Sequence, residues 1–311
     1  MSLTVYRSAE EYVREDGRPC VATLGTFDGF HLGHASIFNR LCQLGESLDM
    51  PAVVITFHPH PRVVVTPQNP PLLLTTPEEK VAILESRFCG SLVILTFDDA
   101  LRQMTAEEFI QKVLIDKFRI HTLIVGYDHS FGKDRSGTIE HLKEVAGRKK
   151  FDLEVIGPVT YKDMPISSSR IRRAIDNGEW KDAIAMMGHP YPIHGRVVRG
   201  LGKGKNLGWP TINLDWSERK LLPRQGVYSC TASVEGERHR GMMFIGVNMF
   251  NPEKSVSVEA NLFDFDRDLY DKEVTLCPYH FIRENRKFDS AEALSRQIAK
   301  DKEEIEKLLF K

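Results

Sequence analysis

The feature that most restricts this chain is the change of texture at His189-Pro190-Tyr191-Pro192. Proline removes an amide donor and restrains its predecessor, so no helix runs through this tetrapeptide. Before it, short apolar runs alternate with amphipathic helical stretches. After it, apolar runs follow one another across turns, with little helix until the end. A chain of 311 residues has room for two cores, and the break divides it into 1–188 and 189–311.

In the first segment the apolar pattern predicts strands at 21–25, 52–57, 92–97, 122–127 and 153–156. Helices are expected between them, with legible starts. Thr76-Pro77-Glu78-Glu79 sets a capping residue, an N1 proline and a reciprocal glutamate in order, and Thr105-Ala106-Glu107-Glu108 repeats the box. Strands alternating with helices specify an α/β domain, a doubly wound parallel sheet covered on both faces. Its ligands belong at the carboxyl ends of the strands. The second segment predicts strands at 193–199, 227–234, 241–247, 256–265 and 274–282, with a hairpin turn at Glu235-Gly236. This is an antiparallel β-barrel pattern. Leu294, Ile298, Ile305 and Leu308 share one face of a closing C-terminal helix.

Composition excludes more than it selects. With 42 basic and 43 acidic side chains the net charge is −1, against the basic excess of duplex-binding domains. No nucleic-acid partner is therefore expected. The polar N-terminus lacks the apolar core of a secretory signal, and no apolar run is long enough to cross a bilayer. Cys20, Cys42, Cys89, Cys230 and Cys277 form no C-x-x-C pair, which fits reduced thiols and a cytoplasmic location. Nothing in the sequence specifies an oligomeric state.

Two segments of the first half carry phosphate chemistry. The run from Gly25 through Phe27, Asp28 and Gly29 to His31, Gly33 and His34 follows the first predicted strand and enters a helix. Free amides and the helix dipole favour an anion there, imidazoles add donors, and Gly33 lets a phosphate approach the backbone. Residue types alone leave open that the histidines are surface groups or half of a metal site. Ser167-Ser168-Ser169-Arg170-Ile171-Arg172 opens a late helix, where hydroxyls cap and arginine suits phosphate. Taken alone it also reads as an ordinary serine cap before a solvated basic turn.

Together the two runs resemble the H-x-G-H and I-S-S-T-x-x-R pair of the nucleotidyltransferase superfamily, with Ser169 where threonine is usual. Val125-Gly126-Tyr127-Asp128-His129-Ser130-Phe131-Gly132 is similar to the V-G-x-D/N-F-x-F-G segment of one branch. That branch is the FMN adenylyltransferase domain of bacterial bifunctional riboflavin kinase/FAD synthetases. Thr56-Phe57-His58-Pro59-His60-Pro61 resembles its T-F-x-P-H-P run. The resemblance implies that His31, His34 and Arg172 are catalytic, with Gly25, Phe27, Asp28, Gly33, Asp128, Ser168 and Ser169 around the nucleotide.

The second half opens with a glycine-basic loop. Gly200, Gly202 and Gly204 interleave with Lys203 and Lys205 before Leu207-Gly208-Trp209-Pro210-Thr211-Ile212-Asn213. Exposed amides beside positive charge make a phosphate cradle. An idle loop or a nucleic-acid contact would look the same from these residues alone. The run resembles the riboflavin kinase motif G-x-V-x-x-G-x-x-x-G-R-x-L-G-F-P-T-A-N, and the resemblance extends over nearly the whole chain. It implies phosphate binding by Gly200, Lys203 and Lys205. It further implies Mg2+ on Thr211 and Asn213, and Glu259 as the base acting on the ribityl hydroxyl. ATP, riboflavin, FMN and FAD would be the substrates and products. Three places depart from the family pattern: Asn248–Asn251, Ala260-Asn261, and Asp271 where glycine is common.

Overall fold

The computed structural model describes residues 3–12, 17–133, 136–200, 204, 207–247 and 256–309. They divide into two compact units, Met1–Ser168 and Ser169–Lys311.

The first unit is built on β1 (Leu3–Tyr6), β2 (Cys20–Leu24), β3 (Ala52–His58), β4 (Gly90–Thr96), β5 (Ile120–Gly126) and β6 (Asp152–Ile156). All neighbours are parallel, in the order β1-β4-β3-β2-β5-β6. Successive side chains of a strand point to opposite faces, and this sheet buries both. Ala22, Leu24, Val53 and Ile55 join Val113, Leu114, Leu142 and Val145 on one face. Val21, Val54 and Ile124 join Ile37, Phe38, Leu41 and Leu84 on the other. That is the doubly wound sheet expected. Strand order reverses at β2, which pairs with β3 on one side and β5 on the other. A crevice therefore opens beyond the ends of β2 and β5, where ligands of such sheets bind.

The expected strands appear within two residues of their predicted ends. Both capping boxes form, at Thr76 with Glu79 and at Thr105 with Glu108. The second opens a short helix that continues as a π-helix over Ile110–Ile115. Strand β1 was not foreseen: four residues on a sheet edge, none fully buried, leave little hydrophobic signal.

The second unit closes a barrel from β9 (Ile193–Val198), β10 (Ile212–Trp216), β11 (Gly226–Val234), β12 (Glu237–Gly246), β13 (Ser257–Leu262) and β14 (Glu273–Arg283). The intervening β7 (Thr160–Tyr161) and β8 (Met164–Pro165) form a small hairpin of the first unit. Every barrel pairing is antiparallel. Glu235 and Gly236 sit at φ 49° and 85°, the pair of positive values a tight two-residue hairpin requires. Strand β10 is the element that the sequence pattern misses, hidden behind the glycine-basic loop. Residues 169–188 group with the barrel: Trp180 donates its indole N–H to the Tyr279 carbonyl at 2.9 Å and packs edge-on to Tyr191 and Tyr228.

The C-terminal helix, Ala291–Leu309, docks Ile298 and Ile305 against Val227, Met242 and Phe263. Leu308, expected on this face, is instead exposed. Asp301, with 2% of its side chain accessible, receives Arg283 Nε at 3.0 and 2.9 Å and Arg283 Nη2 at 2.8 Å. Gln297 adds a bond to Asp301 at 2.7 Å. Removing one partner of such a buried pair strands the other charge. Asp301→Ala should therefore destabilise the barrel by about 3 kcal/mol in urea unfolding followed by the fluorescence of Trp180, Trp209 and Trp216. A loss under about 0.5 kcal/mol would show that the pair is not holding the helix.

Candidate active sites

In the first unit the site begins with the turn that leaves β2. Gly25 donates to the Ile55 carbonyl at 3.1 Å. Phe27 and Phe30 then take φ 45° and 47°, a region bulky residues avoid. Packing enforces it. Both rings are buried against Phe38, and His34 meets the edge of Phe27. The Phe27 side chain is thus consumed by the core, a feature no spacing rule announced.

Asp28, 2% exposed, turns its carboxylate away from solvent. It accepts the amides of Leu74 at 3.2 Å and Thr75 at 2.9 Å. The Thr75 hydroxyl in turn accepts the Gly29 amide at 3.0 Å. Ser168, first residue of the Ser168–Asp176 helix, donates its hydroxyl to the Asp28 carbonyl at 2.8 Å. Asp28 and Ser168, named from sequence as nucleotide contacts, are therefore also the bonds that fix the turn.

His31 caps the Leu32–Ser47 helix, its Nδ1 accepting the His34 amide at 3.4 Å. The two imidazoles stack with centroids 3.6 Å apart. A Cβ on Gly33 would lie 3.1 Å from the His31 ring, so glycine leaves that ring its place. His34 Nδ1 is buried without a hydrogen-bond partner. Burial, the neighbouring His31 and the Lys80 ammonium hold the His34 imidazole well below 6.5.

Lys80 is the group that sequence reasoning missed. It lies in the Pro77–Glu85 helix, is 8% exposed, and donates to the Thr26 carbonyl at 2.7 Å and the Thr56 hydroxyl at 3.1 Å. Burial pulls its ammonium down to about 8, with Asp28 opposing the shift. Asp28, Thr56, His58, His60 and Lys80 line one pocket. His60 caps the Pro61–Val65 helix, accepting the Arg62 amide at 3.1 Å. Asp128 is exposed just beyond β5. Ser169 and Arg172 follow Ser168 along its helix and fall in the second unit, Ser169 exposed and Arg172 half-buried. Among the described residues no group of three or more His, Cys, Asp or Glu could hold a metal ion.

The barrel site is set by strand register. Asn213 of β10 stands directly opposite Glu259 of β13, and Thr211, two residues earlier, falls on the same side. Ser257 donates to Glu259 Oε1 at 3.3 Å. Burial raises the Glu259 carboxyl from 4.5, while hydrogen bonds from Ser257 and Thr211 oppose the rise. A Cβ on Gly200 would collide with the Asn213 side chain, and one on Gly204 with the Trp209 carbonyl. The glycines keep this corner open. Lys203, Lys205 and the Asn248–Asn251 departure lie outside the described residues. Asn261, another departure, donates to the Pro210 carbonyl at 2.6 Å and so fixes the residue before Thr211. Asp271 sits at φ 64°: the turn keeps left-handed geometry without glycine, which aspartate tolerates better than most residues.

Residues 13–170 match the FAD synthetase family and residues 187–309 the riboflavin kinase family. The bifunctional riboflavin kinase/FMN adenylyltransferase of Bacillus subtilis is 33% identical over 296 residues, 94% of this chain and 93% of that protein. The chain belongs to this family. The Listeria monocytogenes relative of the same name is 32% identical over 91% of this chain and 90% of its own. A crystal structure described as a macrolide-efflux protein from Streptococcus pneumoniae superposes with a TM-score of 0.85 at 30% identity. It covers 97% of this chain and 98% of its own. Among the described residues no helix is long and apolar enough to cross a membrane. The FAD synthetase part precedes the riboflavin kinase part, the order the motifs gave.

His34 provides a direct check on the first site. Its ring proton resonances should stay unmoved through pH 6.5 while exposed histidines titrate. A midpoint at or above 6.5 would contradict the buried, neutral imidazole described here.

Proposed function

We propose that the catalytic modules are 1–188 and 189–311, working in series on one flavin. Riboflavin is phosphorylated by ATP to FMN in the second module, and FMN is adenylylated by ATP to FAD and pyrophosphate in the first. The observation that carries the reading is the stacked His31–His34 pair at a helix start, beside the reversal of strand order in the sheet.

In adenylyl transfer an FMN phosphate oxygen attacks the α-phosphorus of ATP, and the bond to the β-phosphate bridge oxygen breaks. No protein nucleophile is needed. His31 and His34 present donors to the triphosphate, supported by the free amides of the Leu32–Ser47 helix. Arg172 supplies the planar, permanently charged fork suited to phosphate. Donors held ready for developing charge act without reorganising, which is how such sites lower a barrier. Gly25, Gly33, Asp128 and Ser169 border the nucleotide in this reading. Phe27, Asp28 and Ser168 hold the turn on which it lies.

In the barrel, Glu259 takes the proton of the ribityl hydroxyl as its oxygen attacks the γ-phosphorus and ADP leaves. The raised carboxyl is a stronger base than an exposed glutamate. Thr211 and Asn213 offer hard oxygens in a corner that a Cβ at Gly200 would fill, which suits the Mg2+ that accompanies ATP. Held by Thr211 and Asn213, the ion would supply charge neutralisation at the phosphates. Gly200, Lys203 and Lys205 would cradle the phosphates. The five free cysteines accord with a cytoplasmic enzyme, and no nucleic acid or membrane partner enters the scheme.

Substitutions separate the two chemistries. His31→Ala or Arg172→Ala should lower FAD formation by at least ~10²-fold and leave FMN formation intact. FAD synthesis near the unmodified rate in either variant would sink the assignment. Glu259→Gln should do the reverse, lowering riboflavin phosphorylation ~10²–10⁴-fold with FMN adenylylation preserved.

The kinase should also show a characteristic acid limb. A carboxyl raised above 4.5 is ionised only above that higher value, so kcat/KM falls as pH drops through a midpoint above 4.5. A midpoint at or below 4.5, measured on the unmodified chain, would contradict a Glu259 carboxyl raised by burial.

A further inference from the structure

A lysine inside a folded unit must exchange water for protein acceptors, because an unpaired buried ammonium is costly. Lys80 does this with two oxygens that belong to the active site's frame. One is the carbonyl of Thr26, at 2.7 Å, in the turn between β2 and the His31 cap. The other is the hydroxyl of Thr56, at 3.1 Å, near the end of β3. Thr56 itself donates to the Thr26 carbonyl at 3.3 Å, so three groups from separate segments close on one another. Thr26 directly precedes Phe27 and Asp28, whose left-handed and latched conformations set the path to His31. Any slack at Thr26 is passed to the imidazoles.

We propose that Lys80 is a positioning residue of adenylyl transfer, its ammonium clamping the phosphate turn at Thr26 to the end of β3 at Thr56. The clamp acts on the placement of His31 and His34 and does not itself ligate the triphosphate. This rests on the reading of residues 1–188 as the adenylyl-transfer module. Asp28 from the turn, His34 from the following helix, and His58 and His60 from the segment after β3 surround the ammonium or share its pocket.

The consequence is a loss in rate. A misplacement of about 1 Å at a reacting centre costs on the order of 10²-fold in rate. Lys80→Met should therefore lower kcat for FAD formation by about 10²-fold, with KM for ATP and FMN changed by less than about threefold. Lys80→Arg, which keeps charge and donors, should retain more of the rate than Lys80→Met. Thr56→Val should lower kcat by about tenfold, and Thr56→Ser should remain near the unmodified rate.

The experiment uses the full chain, measuring FMN-to-FAD and riboflavin-to-FMN conversion on each preparation. The second reaction reports on the barrel alone, and circular dichroism through urea unfolding reports whether the first unit, which holds Lys80, is folded. A kcat for Lys80→Met within about threefold of the unmodified chain overturns the proposal. So does an effect confined to KM, which would make Lys80 a substrate ligand, or a loss of rate matched by a loss of folded first unit, which would make it a stability residue. If Lys80→Met does not fold, the Thr56 pair decides: equal rates for valine and serine overturn the clamp. An unmodified chain that makes FMN but no FAD would instead fail the adenylyl-transfer reading itself.

Discussion

At the carboxyl end of β2 a single aspartate is held from three sides, and the turn that leads into the His31–His34 helix start depends on that arrangement. The Asp28 carboxylate binds the amides of Leu74 and Thr75, while its carbonyl receives the Ser168 hydroxyl. Segments 46, 47 and 140 residues away are thereby tied to one turn. Hydrogen bonds to an ionised group are stronger than neutral ones and cost more to break when buried. The left-handed Phe27 and Phe30 persist because this frame and the aromatic cluster leave them no alternative. Backbone strain at Phe27 and Phe30, the buried Asp28 carboxylate and the buried Lys80, 54 residues from its Thr26 acceptor, meet at one turn. Their joint product is a helix start that carries two stacked imidazoles.

The barrel reaches its own site by a different device. Antiparallel register brings Asn213 and Glu259 together. Direct opposition of Asn213 and Glu259 places amide and carboxylate together, and a slip of one residue would send Glu259 to the other face. Asn261, on the same strand as Glu259, secures Pro210 and with it the approach to Thr211. The departure from the family pattern at Ala260-Asn261 thus has a structural use. Ala260 is buried, and Asn261 makes the bond. The Arg283–Asp301 pair anchors the closing helix, and Trp209 reaches that helix through Ser295 at 3.0 Å.

Much of this was legible from residue order, for physical reasons. Alternating Val53, Val54 and Ile55 sort to opposite faces of β3, so a run buried on both sides reads as continuous apolar sequence. Thr76 and Thr105 carry their capping partners three residues on, a local signal that tertiary packing did not override. Strand β10 was illegible because glycine and lysine dominate the run before it, and its alternation is only five residues long. Leu308 lies on the right helical face but beyond the reach of the barrel. The site showed the same division. His31, His34 and Glu259 stand out by motif, whereas Lys80 is one more lysine on a helix until its acceptors, 54 and 24 residues distant, are known.

The most direct test of two active sites working in series is a time course. The purified chain is incubated with riboflavin, ATP and Mg2+, and riboflavin, FMN and FAD are separated as the reaction proceeds. The account predicts that FMN rises first and FAD follows at its expense. FAD formed from added FMN, with riboflavin untouched, would contradict an active barrel site; no product from either flavin would contradict the account as a whole.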